Sequence, residues 1–65
     1  MRVRFGNKIY LCTTASCNEE SKLLMLTTSN GVYVVDMITC EQAKDTYDNL
    51  LINGYCDVSK YQYSN

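Results

Sequence analysis

The sequence contains no histidine, no tryptophan and no proline, and only three of its 65 residues are glycine. Without histidine, the chain cannot build Ser-His-Asp or Cys-His catalytic groups, or any histidine-ligated metal site. The glycines are isolated from one another, which excludes a glycine-rich phosphate-binding loop. No apolar run reaches the length of about 18 residues that a membrane-spanning helix needs, so no membrane partner is expected.

The residues that are present have the composition of a globular protein. Hydrophobic residues make up 46% of the chain, charged residues 20%, and the net charge is -1. We therefore expect one folded domain over residues 1–65. A domain of this size buries only about 60% of the surface that its unfolded chain exposes. Disulfides, a metal ion or a second subunit often stabilise such small cores.

The four cysteines are Cys12, Cys17, Cys40 and Cys56. Only the first two are close in sequence, whereas zinc ligands usually occur as two close pairs. The N-terminal residues alternate between polar and apolar, without the apolar run of a signal peptide. We therefore expect a cytoplasmic protein with free thiols. Two disulfides, or a cysteine-ligated structural zinc site, remain the alternatives, and the sequence leaves the thiol state open.

The strongest local signal is the dipeptide Asn30-Gly31, which is typical of a type I′ hairpin turn. A two-residue turn at these positions pairs Leu26 with Val35. The predicted hairpin then gathers one set of side chains on a core face: Leu24, Leu26, Thr28, Tyr33, Val35 and Met37. Its other face is less polar than a solvent-facing surface should be: Leu23, Met25, Thr27, Val32, Val34 and Asp36.

A helix is predicted from about Cys40 to Ile52. Thr39 and Gln42 form the T-x-x-Q pattern of a capping box. Gly54 is the expected left-handed residue after the last turn. The apolar residues of the helix follow at helical spacing: Ala43, Tyr47, Leu50 and Leu51.

The two ends of the chain are less clearly patterned. The turn chemistry of Gly6-Asn7 favours an N-terminal hairpin, which we predict, while the alternation of apolar residues favours one long kinked strand. Residues 13–21 are predicted to form a polar loop. The tail from Tyr55 to Tyr63 is expected to add a short strand or a turn capped by Asp57.

The predicted fold class is therefore α+β. We expect a small antiparallel β-meander of three to four strands, with one helix from the C-terminal half packed on one face and a short final strand as an option. Parallel pairing is not expected, because no βαβ crossover precedes the last element.

The apolar second sheet face predicts a binding surface, because exposed apolar patches mark interfaces. Tyrosines outside the predicted core add to this interpretation. We expect a non-enzymatic accessory domain that binds protein or self-associates as a homodimer, with no catalytic residues, cofactor or metal. The expected partner-binding residues are Tyr10, Met25, Val34, Tyr61 and Tyr63.

A second hypothesis is a nucleic-acid accessory domain. Its basic patch would consist of Arg2, Arg4 and Lys8, with Tyr10 for stacking. The isoelectric point near 5.0 argues against it, since the whole chain has no excess positive charge to attract phosphates. We therefore regard nucleic acid as the less favoured partner.

Overall fold

The computed structural model describes all residues from 1 to 65. A single α-helix packs against the inner face of a six-stranded mixed sheet, which confirms the α+β class with a largely antiparallel meander. The strands lie side by side in the order β5-β1-β2-β3-β4-β6. The elements are β1 (Arg2–Phe5), β2 (Lys8–Asn18), β3 (Leu23–Thr28), β4 (Gly31–Asp36), α1 (Cys40–Asn53), β5 (Tyr55–Asp57) and β6 (Gln62–Ser64).

The first two strands form the predicted hairpin. Val3 lies opposite Tyr10, and Phe5 lies opposite Lys8. Gly6 has a φ of 66°, a conformation that glycine adopts without steric cost. The kinked single strand is therefore not formed, and Val3 shares the inner face with Tyr10.

Strand β2 continues through residues that were predicted to be a polar loop, so that prediction was wrong for most of residues 13–21. A register shift between Cys12 and Thr14 leaves Thr13 as the extra residue of a β-bulge. Before the bulge even-numbered residues face inward, and after it odd-numbered residues such as Ala15 do. Because the alternation changes phase, the sequence loses the pattern by which a strand is recognised.

The hairpin between β3 and β4 forms with the predicted faces but a different register. Leu26 pairs with Tyr33 rather than Val35, so the turn consists of Ser29 and Asn30. A type I′ turn would need positive φ at both central residues, and here only the following Gly31 has one, at 113°. Thr28 stabilises the turn, since its hydroxyl accepts from the Asn30 amide and donates to the Gly31 carbonyl.

Helix α1 begins and ends where the sequence signals predicted. The Thr39 hydroxyl accepts a hydrogen bond from the Gln42 amide, and the Gln42 side chain accepts one from the Thr39 amide. Gly54 has a φ of 71° and donates its N–H to the Leu50 carbonyl. Ala43 and Leu50 are fully buried, whereas Leu51 is 52% exposed and does not join the core. The helix is too short and too polar to cross a membrane.

The tail adds two short strands, so the sheet is wider than predicted. Strand β5 pairs in parallel with β1, and β6 pairs antiparallel with β4. Between them, Asp57 caps a turn by accepting hydrogen bonds from the amide and hydroxyl of Ser59. These bonds lower the pKa of Asp57. The expectation of no parallel pairing was therefore wrong for this one pair, because helix α1 carries the chain back across the sheet to β1.

The sheet is strongly curled around its core. The Phe5 ring on β1 lies 4.5 Å from the Tyr33 ring on β4, although two strands separate them in the sheet. Flat strands in these positions would lie about 14 Å apart. The core between the curled sheet and the helix consists of Val3, Phe5, Cys12, Leu24, Leu26, Tyr33, Val35, Met37, Ala43, Leu50, Cys56 and Val58.

Candidate interaction surface

The outer face of the sheet is the side that points away from helix α1. Successive side chains of a strand point to opposite faces of the sheet. The strand pairings therefore place on the outer face the residues that alternate with the buried ones. This outer face includes Arg2, Arg4, Ile9, Leu11, Thr14, Ser16, Leu23, Met25, Thr27, Val32, Val34 and Asp36.

Met25 and Val34, two predicted binding residues, form a cross-strand pair near the middle of this face. Met25 is 46% exposed and Val34 is half-buried. Val32 continues the apolar surface along β4 and is 47% exposed. These adjacent apolar side chains are therefore in contact with solvent, and Met25 also lines a groove that reaches helix α1.

A second apolar group on the outer face was not predicted as a binding surface. Ile9 and Leu11 on β2 are 46% and 61% exposed. Small polar residues on the outer face, such as Thr14 and Thr27, lie between them and Met25. The sequence did show both residues in the alternating N-terminal stretch. Their orientation could be known only once the hairpin, which turns Val3 and Tyr10 inward, was established.

The three tyrosines predicted as contacts do not share this face. Tyr10 is half-buried and packs inward, with its ring 5.6 Å from the Phe5 ring and 5.9 Å from the Tyr33 ring. Tyr63 also turns inward onto Phe5, but it remains 42% exposed at the sheet edge. Tyr61 packs beside the core, and its ring lies 5.3 Å from the Lys60 ammonium group. The Tyr10 and Tyr63 rings therefore turn to the opposite side of the sheet from Met25 and Val34, although Tyr63 lines a concavity with Val34 at the sheet edge.

The basic residues of the nucleic-acid hypothesis are divided between the two faces. Arg2 and Arg4 lie on the outer face, whereas Lys8 has the inward phase of Tyr10 and is exposed beside the first turn. The Arg4 guanidinium is also engaged within the chain, donating to the Tyr55 hydroxyl at 3.1 Å. The three residues therefore do not form one continuous basic surface.

The four cysteines are free thiols. Cys12 and Cys56 are buried in the core, and burial raises the pKa of both thiols, that of Cys56 to about 11. Burial is the main cause that raises the pKa of Cys17, and the nearby charge of Glu19 is the second. The structure contains no group of three or more cysteine or acidic side chains that could hold a metal ion. The arrangement therefore gives no support to a cysteine-ligated zinc site.

The largest concavity is an open groove of about 610 Å³ between the β2–β3 turn and helix α1. Its apolar lining comes from Cys17, Met25 and Tyr47, and its polar lining includes Glu19 and Asp48. The Cys17 thiol has a raised pKa, which makes it a poorer nucleophile. The groove therefore holds a thiol that is not activated as a nucleophile.

Comparison with known proteins gives no further assignment. No protein-family model, no curated protein and no solved structure matches this chain. The outer face of the sheet, centred on Met25 and Val34, is consequently the functional candidate that the geometry itself supplies.

Proposed function

We propose that this protein is a small non-enzymatic domain that associates with a second copy of itself through the outer face of its sheet. The observation that carries the proposal is the cross-strand pair of exposed Met25 and half-buried Val34, with exposed Val32 and Leu11 on the same face. Removing such side chains from water on association is favourable in proportion to the apolar area covered.

The size of the core supports association. Only 13 of the 65 residues are buried. A domain of this size has little stability to spare, and binding that requires the folded state adds stability by mass action. A second copy on the outer face would place a second apolar layer against the sheet, as in two-sheet folds.

The available surface limits the strength of the association. A stable interface buries about 800 Å² on each partner. That is roughly a fifth of the 4116 Å² that this chain exposes. The curl of the sheet makes its outer face convex, so the contact centres on β2, β3 and β4. We therefore expect a dimer that dissociates on dilution rather than an obligate one.

The non-enzymatic part of the proposal rests on the side chains themselves. The chain has no histidine, and its two most buried thiols, Cys12 and Cys56, have raised pKa values. We also propose a cytoplasmic location, supported by the four free thiols, since thiols persist in reducing compartments.

The test measures mass in solution as a function of protein concentration, by sedimentation equilibrium. The double variant Met25→Ser, Val34→Ser removes the proposed contact. We expect its dimer dissociation constant to rise at least about tenfold, because two buried apolar side chains are lost from each copy.

The matched control is the double variant Leu51→Ser, Ile52→Ser. These side chains are also apolar and are 52% and 80% exposed, but they lie at the end of helix α1. We expect the control to leave the dissociation constant unchanged. A wild-type protein that stays monomeric up to about 1 mM, where binding is worth about 4 kcal/mol, would refute the proposal. Equal weakening by the two double variants would refute it as well.

A further inference from the structure

The second half of β2 has one unpaired edge. Strand β1 pairs with β2 as far as Leu11, and one further backbone hydrogen bond joins the Cys12 amide to the Met1 carbonyl. Beyond the bulge, residues 15–18 pair with β3 on one side and with no strand on the other. Every second residue of an antiparallel strand directs its N–H and C=O to the same side. Residues 15–18 therefore direct some of their backbone groups to solvent.

The largest groove of the molecule lies along this edge. Its lining includes three consecutive residues of β2 and two residues of helix α1: Ser16, Cys17, Asn18, Tyr47 and Asp48. Consecutive residues of a strand point to opposite faces. A groove that is lined by all three residues of β2 consequently follows the edge of the strand rather than one of its faces. Its volume of about 610 Å³ is enough for several side chains of a ligand.

The groove is acidic. It is lined by Glu19 and Glu20 from the β2–β3 turn and by the half-buried Asp48 on α1, against one basic residue, Lys44. The lining therefore has two more negative charges than positive ones, whereas the net charge of the whole chain is only -1. Burial, and then the charges of Glu19 and Asp48, raise the pKa of the Cys17 thiol, so both carboxylates act on the groove. Such a lining attracts a positively charged occupant.

We propose that the free edge of β2 binds an extended, positively charged segment of a partner protein, which adds to the sheet as a further strand. In this mode of recognition the main-chain hydrogen bonds supply affinity, and the surroundings of alternate side chains supply specificity. On the helix side, an arginine of the segment would lie near the Asp48 carboxylate and the Tyr47 ring, both of which attract a guanidinium group.

A second copy of this chain is a poorer occupant of the edge. Pairing two β2 edges would bring two sets of acidic side chains together, and like charges on an edge strand oppose such pairing. The inference does not depend on the proposed self-association through the outer face, because the edge is free in the single chain.

The probe is the peptide acetyl-Thr-Arg-Val-Arg-Val-Arg-Thr-amide, whose alternation places arginine on one face and valine on the other. It is titrated to about 5 mM into isotope-labelled protein, at a protein concentration where sedimentation shows a monomer. We expect saturable changes in the amide NMR signals of residues 15–18, Tyr47 and Asp48. Two control peptides should bind at least about tenfold more weakly. One has glutamate in place of arginine, and the other keeps the charges but has N-methylated backbone amides.

The matched protein variants are Asp48→Lys and Asp45→Lys. They make the same change of charge on the same helix, but only Asp48 lines the groove. We expect Asp48→Lys to raise the dissociation constant of the peptide roughly fivefold to tenfold, and Asp45→Lys to leave it within about twofold of wild type. Asp48→Asn keeps the shape of the side chain and should raise the constant about twofold to threefold.

Three results would overturn the proposal. The signals of residues 15–18 would stay unchanged, or the two lysine variants would weaken binding equally, or the N-methylated peptide would bind as well as its parent. The last result would mean that charge alone attracts the peptide. A dimer that Asp48→Lys strengthens, and that Met25→Ser, Val34→Ser leaves intact, would place a second copy at the edge and would also overturn it.

Discussion

The ring of Phe5 meets the ring of Tyr63 edge-on, with their centroids 4.9 Å apart, although three strands lie between β1 and β6 in the sheet. The Tyr33 ring belongs to the same cluster, 4.5 Å from the Phe5 ring and 6.2 Å from the Tyr63 ring. Aromatic side chains thus bring together β1 and β6, which three strands separate in the sheet. We therefore propose that this contact helps to close the sheet into the curl that makes its outer face convex.

We predict that Phe5 and Tyr63 are energetically coupled. The variants Phe5→Leu and Tyr63→Leu and their combination form a double-mutant cycle, measured as the free energy of unfolding in urea. Aromatic pairs of this geometry contribute about 0.5–1.5 kcal/mol beyond their burial, which is the coupling we expect. A cycle of Phe5 with Tyr61, whose ring is outside the cluster, should give a coupling near zero. Equal couplings in the two cycles would contradict the proposed closure.

Local signals predicted the helix and the faces of its preceding hairpin. The capping pair Thr39 and Gln42 and the terminal Gly54 act through neighbouring residues, so the sequence contains them in full. The predicted pairing of β3 with β4 was shifted by two residues from the observed one. A shift by two residues leaves every side chain on the same face of the sheet, because side chains alternate with a period of two. For this reason the inward side of Leu26 was predicted correctly although its partner was not.

Non-local features could not be read in the same way. The bulge at Thr13 reverses the alternation within β2, and the parallel pairing of β5 with β1 depends on where the helix ends. Of the candidate surface, Met25 and Val34 followed from strand alternation. The inward position of Tyr10 was implied by the predicted N-terminal hairpin, which placed it on the face of Val3. The position of Tyr63 depends on the curl of the whole sheet, and the curl cannot be predicted from residues that are neighbours in the sequence.

We predict that removing the helix N-cap by Thr39→Ala lowers the free energy of unfolding by about 1 kcal/mol. The alanine leaves the Gln42 amide without its hydroxyl partner. Thr39→Ser keeps that hydroxyl and should remain within about 0.3 kcal/mol of wild type, since serine is an equally good cap. Urea denaturation of the three proteins compares them directly. An alanine variant as stable as the serine variant would show that the capping box does not stabilise the helix.

We predict that Gly54→Ala costs about 1 kcal/mol through backbone strain alone. Gly54 has a φ of 71°, and a Cβ added there would meet no atom within 4 Å. Left-handed backbone costs a side-chain-bearing residue roughly 1–2 kcal/mol, and less for asparagine. Gly54→Asn should therefore be the milder variant when both are measured by thermal unfolding. The opposite order would point to a contact that the backbone conformation does not explain.

We predict that the four thiols react with a disulfide reagent in an order set by their exposure. Cys40 is exposed, Cys17 is half-buried, and Cys12 and Cys56 are buried. At about pH 8 the folded protein should give one fast thiol and one slower thiol, with the remaining two reacting only as the chain unfolds. Cys40→Ser should remove the fast phase and leave the others unchanged. Four thiols reacting at one rate would contradict the buried positions of Cys12 and Cys56.

We finally predict that stability falls in alkaline solution because of Cys56. Burial raises the pKa of its thiol from the ordinary 9.0 to about 11. Below the ordinary value both states hold the proton, so the preference of the folded state for the neutral thiol is fully present. As pH rises from 9.0 toward 11, the unfolded chain loses its proton first, and unfolding becomes more favourable by roughly 1.4 kcal/mol for each pH unit.

The measurement is urea denaturation between about pH 8 and pH 10.5, within which the Cys56 contribution should decline by about 2 kcal/mol. The control is Cys56→Ala, which loses stability at every pH because a small cavity replaces the sulfur. The two proteins differ only at residue 56, so the difference between the two curves isolates the thiol. The curves should converge as pH rises. Parallel curves would mean that the Cys56 thiol ionises equally in the folded and unfolded chains, which is incompatible with its burial against Val3 and Cys12 in the core.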